Sequence, residues 1–282
     1  MEELTCFWSP GRPGRLVLMH LLRRVDANRV VALTRSPEKV EGVRVRRGGF
    51  DDVGPKDFEG AERVLMISTD RIGARVPQHR AVIEAAAKAG VGQIVYTSLL
   101  RAGDPGYRGV LAEEHRATEQ ALAESGLPYT VLRNGIYPEM LEMLLPLAEV
   151  ARTGALRTSA GEHAYVSYIS RDDCAAVAAT VLADGGYEGQ YLDVTGPVAN
   201  PARIAEALAA AIGEPVAHTR ISPEADAEAM RARLPAGMVA VGQGFWRQAE
   251  QGWFDVHTHH VERLTGHPPA GLEHHFRRLL SA

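Results

Sequence analysis

Short apolar runs rich in β-branched residues recur through the first half of the chain, at Leu4 to Phe7, Val30 to Leu33, Val43 to Val45, Val64 to Ile67, Ile94 to Thr97 and Tyr129 to Leu132. Between several of them lie helix-period segments, Leu16 to Leu22, Val82 to Ala89 and Glu113 to Ala123. This alternation constrains the fold more than any other feature, because parallel strands need connections long enough to hold a helix. It predicts a doubly wound α/β domain, a parallel sheet covered on both faces. Gly90 and Gly126 stand just before the fifth and sixth strands, where glycine commonly ends a helix.

After Arg133 the texture changes. A leucine-rich helix is predicted over Met140 to Val150 and an Ala-rich one over Cys174 to Leu182, then a strand at Gln190 to Val194 and helices beyond Pro201. The reading is one domain of 282 residues without a linker. Its Rossmann-like core covers about 1–135 and parts of 160–196, and a smaller substrate-covering lobe takes about 136–160 and 197–282. A formal net charge of -4 offers no attraction to phosphate backbones, which argues against nucleic acid as a partner. Acids near the start and the lack of any apolar stretch near ~20 residues argue against a signal peptide or membrane span, so a cytoplasmic protein is expected. Cys6 and Cys174 read as core thiols, with neither a disulfide framework nor a metal site. A small-molecule substrate is the expected partner, and a homo-oligomer is compatible with the sequence.

In such sheets a glycine-rich turn after the first strand admits a pyrophosphate to a helix N-terminus. Here that turn reads Phe7, Trp8, Ser9, Pro10, Gly11, Arg12, Pro13, Gly14. Gly11, Arg12 and Gly14 are the candidate phosphate-cradling residues. Trp8 stands where a first glycine belongs, and Pro13 has no N–H to offer an anion, although proline near a helix start is common. Arg35 follows the second strand, 21 residues after Gly14, where a basic side chain can meet the 2′-phosphate of NADP; a solvated surface role competes. Gly49 ends the third strand just before Phe50.

The runs Leu65-Met66-Ile67-Ser68-Thr69, Arg75-Val76-Pro77-Gln78-His79-Arg80, Ile94-Val95-Tyr96-Thr97-Ser98-Leu99 and Ser125-Gly126-Leu127-Pro128-Tyr129-Thr130-Val131-Leu132-Arg133-Asn134-Gly135 resemble the NmrA-like atypical short-chain dehydrogenases, particularly their quinone reductases. The resemblance runs from about Gly11 to Gly196 and returns at Val261 to Pro269. It implies a Rossmann fold that uses NAD(P)H to reduce quinones or related carbonyls, or in some members only senses the cofactor. In the family the first-glycine position is a glycine and the position of Gly49 is typically acidic, meeting the adenine. The Tyr and Lys of ordinary short-chain dehydrogenases fall on Leu111 and His115. Their loss is usual in the quinone reductases, where hydride transfer yields a stabilised anion.

The candidate catalytic residues are His115, Ser98, Tyr137 and Asn134. His115 offers an imidazole for acid/base work or is a hydrogen-bonded helix residue. Ser98 lies where the family's substrate-polarising serine lies, or serves turn chemistry. Asn134 and Tyr137 follow the sixth strand, with core packing the competing role for the tyrosine. Asp70 and Arg71 read as solvated loop charges, and Asp172 and Asp173 as helix-start acids. His257 and His260 are predicted to share a helix face without completing a metal site. Phe245, Trp246, Trp253 and Phe254 either wall a pocket or anchor the lobe. Trp8, Pro13 and Gly49 together favour a scaffold that binds no cofactor and performs non-redox chemistry, such as cyclisation, isomerisation, dehydration or elimination, on a quinone-like or polycyclic substrate. NADPH-dependent reduction of a quinone or ketone is the alternative, and a non-catalytic ligand sensor the third reading.

Overall fold

The computed structural model describes residues 3–7 and 12–280. Its strands are β1 (Glu3–Phe7), β2 (Val30–Thr34), β3 (Arg44–Arg47), β4 (Ala61–Met66), β5 (Gln93–Leu99), β6 (Tyr129–Asn134), β7 (Ala155–Thr158), β8 (Val166–Ser167), β9 (Tyr191–Val194), β10 (Val198–Ala199) and β11 (Ala217–Arg220). Its α-helices are α1 (Arg12–Leu21), α2 (Arg75–Ala89), α3 (Val110–Glu124), α4 (Glu139–Leu144), α5 (Leu147–Thr153), α6 (Arg171–Asp184), α7 (Pro201–Ile212), α8 (Pro223–Arg231), α9 (Ala236–Glu250), α10 (His260–Thr265) and α11 (Leu272–Leu280). The chain divides into two compact units. One is Met1–Asn134, Arg171–Val194 and His260–His267; the other is Gly135–Ser170, Thr195–His259 and Pro268–Ala282.

The first unit is built on a seven-stranded parallel sheet in the order β3-β2-β1-β4-β5-β6-β9. The doubly wound α/β fold expected from the alternation is therefore present. All five residues of β2 are buried, as a strand covered on both faces requires. β3 is an edge strand of sequence Arg-Val-Arg-Arg, whose charges blunt the edge. Arg44 and Arg46 both reach the Glu3 carboxylate, at 2.8 and 3.0 Å. β1 has β2 on one side and β4 on the other, so the strand order reverses there. That reversal is the switch point at which such sheets bind ligands.

Helices close the two faces. The α6 segment is Ala-rich, so its backbone approaches closely; it packs on α1, and His20 meets Asp172 at 3.0 Å. Arg63 in β4 donates to the last carbonyls of α6, Leu182 O at 2.6 Å and Ala183 O at 2.7 Å, groups a helix leaves unpaired. β5 and β6 extend beyond their apolar runs, so Ser98 and Asn134 lie within the strands rather than after them.

In the second unit the leucine-rich stretch predicted as one helix is two, α4 and α5. Leu145 precedes Pro146 and takes an extended conformation (φ -100°, ψ 141°), because a proline ring crowds a helical residue before it. His257 precedes α10, which begins at His260, so the two histidines do not share a helix face; His257 packs against His259 at 5.0 Å. Phe245 lies 4.8 Å from Trp246 and 5.3 Å from Phe254 between ring centroids, and all three are buried within this unit. Among the described residues, no helix is long and apolar enough to cross a membrane.

Candidate active site at the carboxyl ends of the strands

The helix expected to receive a pyrophosphate begins at Arg12 and is the first described element after β1. Pro13 is the second residue of α1, where the N–H would have no partner inside the helix, so the proline leaves the helix intact and removes one anion donor. Gly14 is buried in the same turn. Trp8 and Gly11 lie outside the described residues.

At the end of β2 the geometry is better defined. Gly48 N donates to Thr34 O at 3.2 Å and Arg47 Nη1 to Arg35 O at 3.2 Å, fixing the β2 and β3 ends side by side. A Cβ placed on Gly49 would stand 2.7 Å from Arg35 Cγ and 2.8 Å from Cδ. The arginine stem thus lies across bare backbone. Asp52 Oδ1 accepts the Gly49 N–H at 2.8 Å and holds the turn.

Behind the β4 and β5 ends, α2 and α3 turn polar side chains inward. Arg75 and His79 lie one helical turn apart on α2, and Glu114, His115, Thr118 and Glu119 occupy the buried face of α3. Thr69 N donates to His79 Nε2 at 3.1 Å, so the His79 proton is on Nδ1, which donates to Thr118 Oγ1 at 3.0 Å. Thr118 Oγ1 passes its own proton to Glu114 O at 2.9 Å. Arg75, a donor only, approaches His115 Nε2 at 3.1 Å, which leaves the His115 proton on Nδ1, 2.7 Å from the Tyr96 hydroxyl.

The web is electrostatically consistent. Burial, with a smaller contribution from the Arg75 charge, lowers the His79 pKa from 6.5 to about 3. Burial and the same arginine hold His115 well below its ordinary value. Burial pushes the Tyr96 hydroxyl far above its usual range. Glu114 Oε1 accepts Gly73 N at 2.9 Å and Arg75 N at 3.2 Å, capping α2 from a neighbouring helix. His115 is accordingly a neutral ring with both nitrogens committed to interior groups.

A second cluster joins β5, β6 and α3. Ser98 Oγ donates to Glu119 Oε1 at 2.6 Å, and Arg133 binds the same carboxylate with Nε at 3.0 Å and Nη2 at 2.6 Å. Burial lowers the Arg133 pKa, yet the Glu119 hydrogen bond and charge outweigh it and the net direction is upward. The Arg133 guanidinium also stacks over Tyr191 at 4.5 Å. Register pairs Ser98 with Arg133 and Leu99 with Asn134, so Ser98 and Asn134 sit at the ends of adjacent strands on opposite faces of the sheet. Asn134 is buried; Tyr137 belongs to the second unit and is half-buried.

Arg75, His79, Tyr96, Glu114, Thr118, Glu119 and Arg133 were not among the expected site residues. Their signal is polar pairs at i,i+4 on helix faces that should be apolar, Arg75 with His79, Glu114 with Thr118 and His115 with Glu119.

A parallel sheet with its reversal at β1, a helix as the next described element after that strand and an arginine at the end of β2 are the marks of the Rossmann class of dinucleotide-binding folds. The NAD(P)H-binding family pattern matches residues 9–185. The chain is 35% identical over 273 residues to quinone oxidoreductase 2 of Escherichia coli, covering 94% of each chain. The solved Escherichia coli NADPH-dependent quinone oxidoreductase in complex with NADPH superposes with a TM-score of 0.87 at 32% identity, covering 98% of this chain and 99% of that one. Triphenylmethane reductase of Citrobacter gives 0.88 at 28% identity, covering 99% and 100%. The chain belongs to the NAD(P)H-binding, NmrA-like family.

Family membership and these reductase relatives overturn the expectation of non-redox chemistry on a scaffold that binds no cofactor. Of the supposed defects, Pro13 occupies a first-turn position that tolerates proline, and Gly49 is occupied space, filled by the stem of Arg35. Neither feature excludes a dinucleotide: Pro13 removes a single donor from the first turn of α1, and Arg35 stands at the end of β2 with its stem over Gly49.

Proposed function

We propose that the protein is an NADPH-dependent reductase of quinones or conjugated ketones. The observation that carries this reading is Arg35 at the end of β2, in a chain similar over nearly its whole length to an NADPH-dependent quinone reductase. NADPH, when bound, supplies a hydride. The chain's own residues bind and orient. Arg12 and Gly14, in the first turn of α1, would hold its pyrophosphate, and Arg35 its 2′-phosphate. The Tyr/Lys pair of ordinary carbonyl reductases is replaced by Leu111, which is exposed, and His115, which is buried and neutral. An acceptor whose reduced form is a delocalised anion needs no strong proton donor in that step, which favours quinones over isolated ketones.

Ser98, Asn134 and Tyr137 are the proposed substrate-side groups. Ser98 donates its hydrogen bond to Glu119 Oε1, so its free lone pairs suit the O–H of the reduced hydroquinone rather than the quinone carbonyl. His115 supports the site from behind through Tyr96 and Arg75. The test is calorimetric titration with NADPH, followed by nicotinamide oxidation with a p-quinone, a conjugated ketone and a triarylmethane dye. Micromolar NADPH binding with quinone-dependent turnover is expected. Absence of both ends the proposal.

A further inference from the structure

We infer that Gly49 determines cofactor preference in this chain, by providing the seat on which the Arg35 stem lies so that its guanidinium meets a 2′-phosphate. The inference rests on the NADPH reading above and adds to it a residue that touches no cofactor itself. Gly49 does not adopt a positive φ, so an L-residue fits its backbone. What excludes a side chain is contact: a Cβ at 49 would approach Arg35 Cγ at 2.7 Å and Cδ at 2.8 Å. Those atoms lie near the root of the arginine, so relief requires rotating the whole side chain, and a guanidinium swung on that stem is displaced by several ångströms. Asp52 Oδ1, at 3.2 Å from the same point, gives by a few tenths of an ångström and keeps the turn.

Neighbouring Gly48 provides the contrast. A Cβ there would meet Leu33 Cδ1 at 2.7 Å, a fully buried core side chain, so substitution disturbs packing rather than recognition. Two adjacent glycines thus have different duties, one toward the core and one toward the arginine.

The test compares wild type, Gly49→Ala, Arg35→Ala and the double variant for binding of NADPH, NADH and 2′,5′-ADP by calorimetry, without turnover. Gly49→Ala should weaken NADPH and 2′,5′-ADP by about tenfold, the scale of one charge-assisted contact, and leave NADH within about twofold. In the Arg35→Ala background the same substitution should change nothing, since the clash has gone. An unchanged NADPH-to-NADH ratio in Gly49→Ala, or additive losses in the double variant, overturns the inference while the NADPH reading stands. If wild type binds neither NADPH nor 2′,5′-ADP, or Arg35→Ala leaves the ratio unaltered, the reading beneath it has failed and the inference falls with it. Should Gly49→Ala fail to fold, the double variant is expected to fold and to bind NADH as Arg35→Ala does. A double variant that also fails to fold overturns the seat.

Discussion

Arg133 grips Glu119 with two parallel hydrogen bonds in a space that Gly103 keeps open: a Cβ at 103 would stand 2.1 Å from Arg133 Nη2. The pair ties the end of β6 to α3 and gives Ser98 on β5 its carboxylate partner, so three elements meet on one acid. Glu119 is buried and the Arg133 side chain is 21% exposed, which places the pair where a lost partner is costly.

Glu119→Gln should therefore destabilise the protein by about 3 kcal/mol, because a largely desolvated guanidinium loses its countercharge. Urea denaturation read by far-ultraviolet circular dichroism measures it. Gly103→Ala should lower the midpoint in wild type and leave it unchanged in an Arg133→Ala background. Equal effects in both backgrounds would show that Gly103 is needed for something other than the guanidinium.

Stability should fall on mild acidification. Above the ordinary imidazole range, His79 and His115 are neutral in both the folded and unfolded chain and contribute no slope. As pH drops from 6.5 toward about 3, the unfolded chain takes up protons that the folded His79 refuses, so stability is lost over that window. His115, also lowered, acts in the same direction. Each refused proton is worth about 1.4 kcal/mol per pH unit. Replacing His79 by Gln should remove about that much slope between about pH 4 and 6, measured from urea midpoints across a pH series.

Arg63→Met should expose the carboxyl end of α6 to fraying. It deletes both donors to Leu182 O and Ala183 O at a mostly buried site, a loss of about 2 kcal/mol. Hydrogen exchange should rise first in the last turn of α6. Uniform loss of protection across the sheet would point to a global role instead.

On the proposed reduction, Tyr137→Phe and Asn134→Ala should each lower kcat/KM for a quinone by about tenfold and leave the NADPH dissociation constant unchanged. His115→Gln should behave differently, with lower stability and an unaltered pH profile of kcat/KM. A pH profile that shifts in His115→Gln would return that imidazole to proton transfer.

The strands and helices of the first unit were legible because their apolar periods survive in the sequence: β2 is buried on both faces and reads as an unbroken run. Pro146 carries the signal for the break between α4 and α5, since it holds Leu145 out of the helical region. His115 was visible as a residue with chemistry, but its surroundings were not. Arg75 on α2 and Tyr96 on β5 come from other elements, 40 and 19 residues away, and only their convergence commits both nitrogens.

The sequence by itself determined the alternating strand and helix, the parallel sheet they dictate and the position of Arg35 at the end of β2, since these follow from local periodicity and chain connectivity. Tertiary structure alone decided what Gly49 means. Read along the chain, the glycine is a missing acid; in the folded sheet β3 lies against β2, and the empty Cβ position holds the stem of Arg35. A side chain's absence acquires its sense only from the atom that fills the space, and that atom belongs to a residue 14 positions earlier.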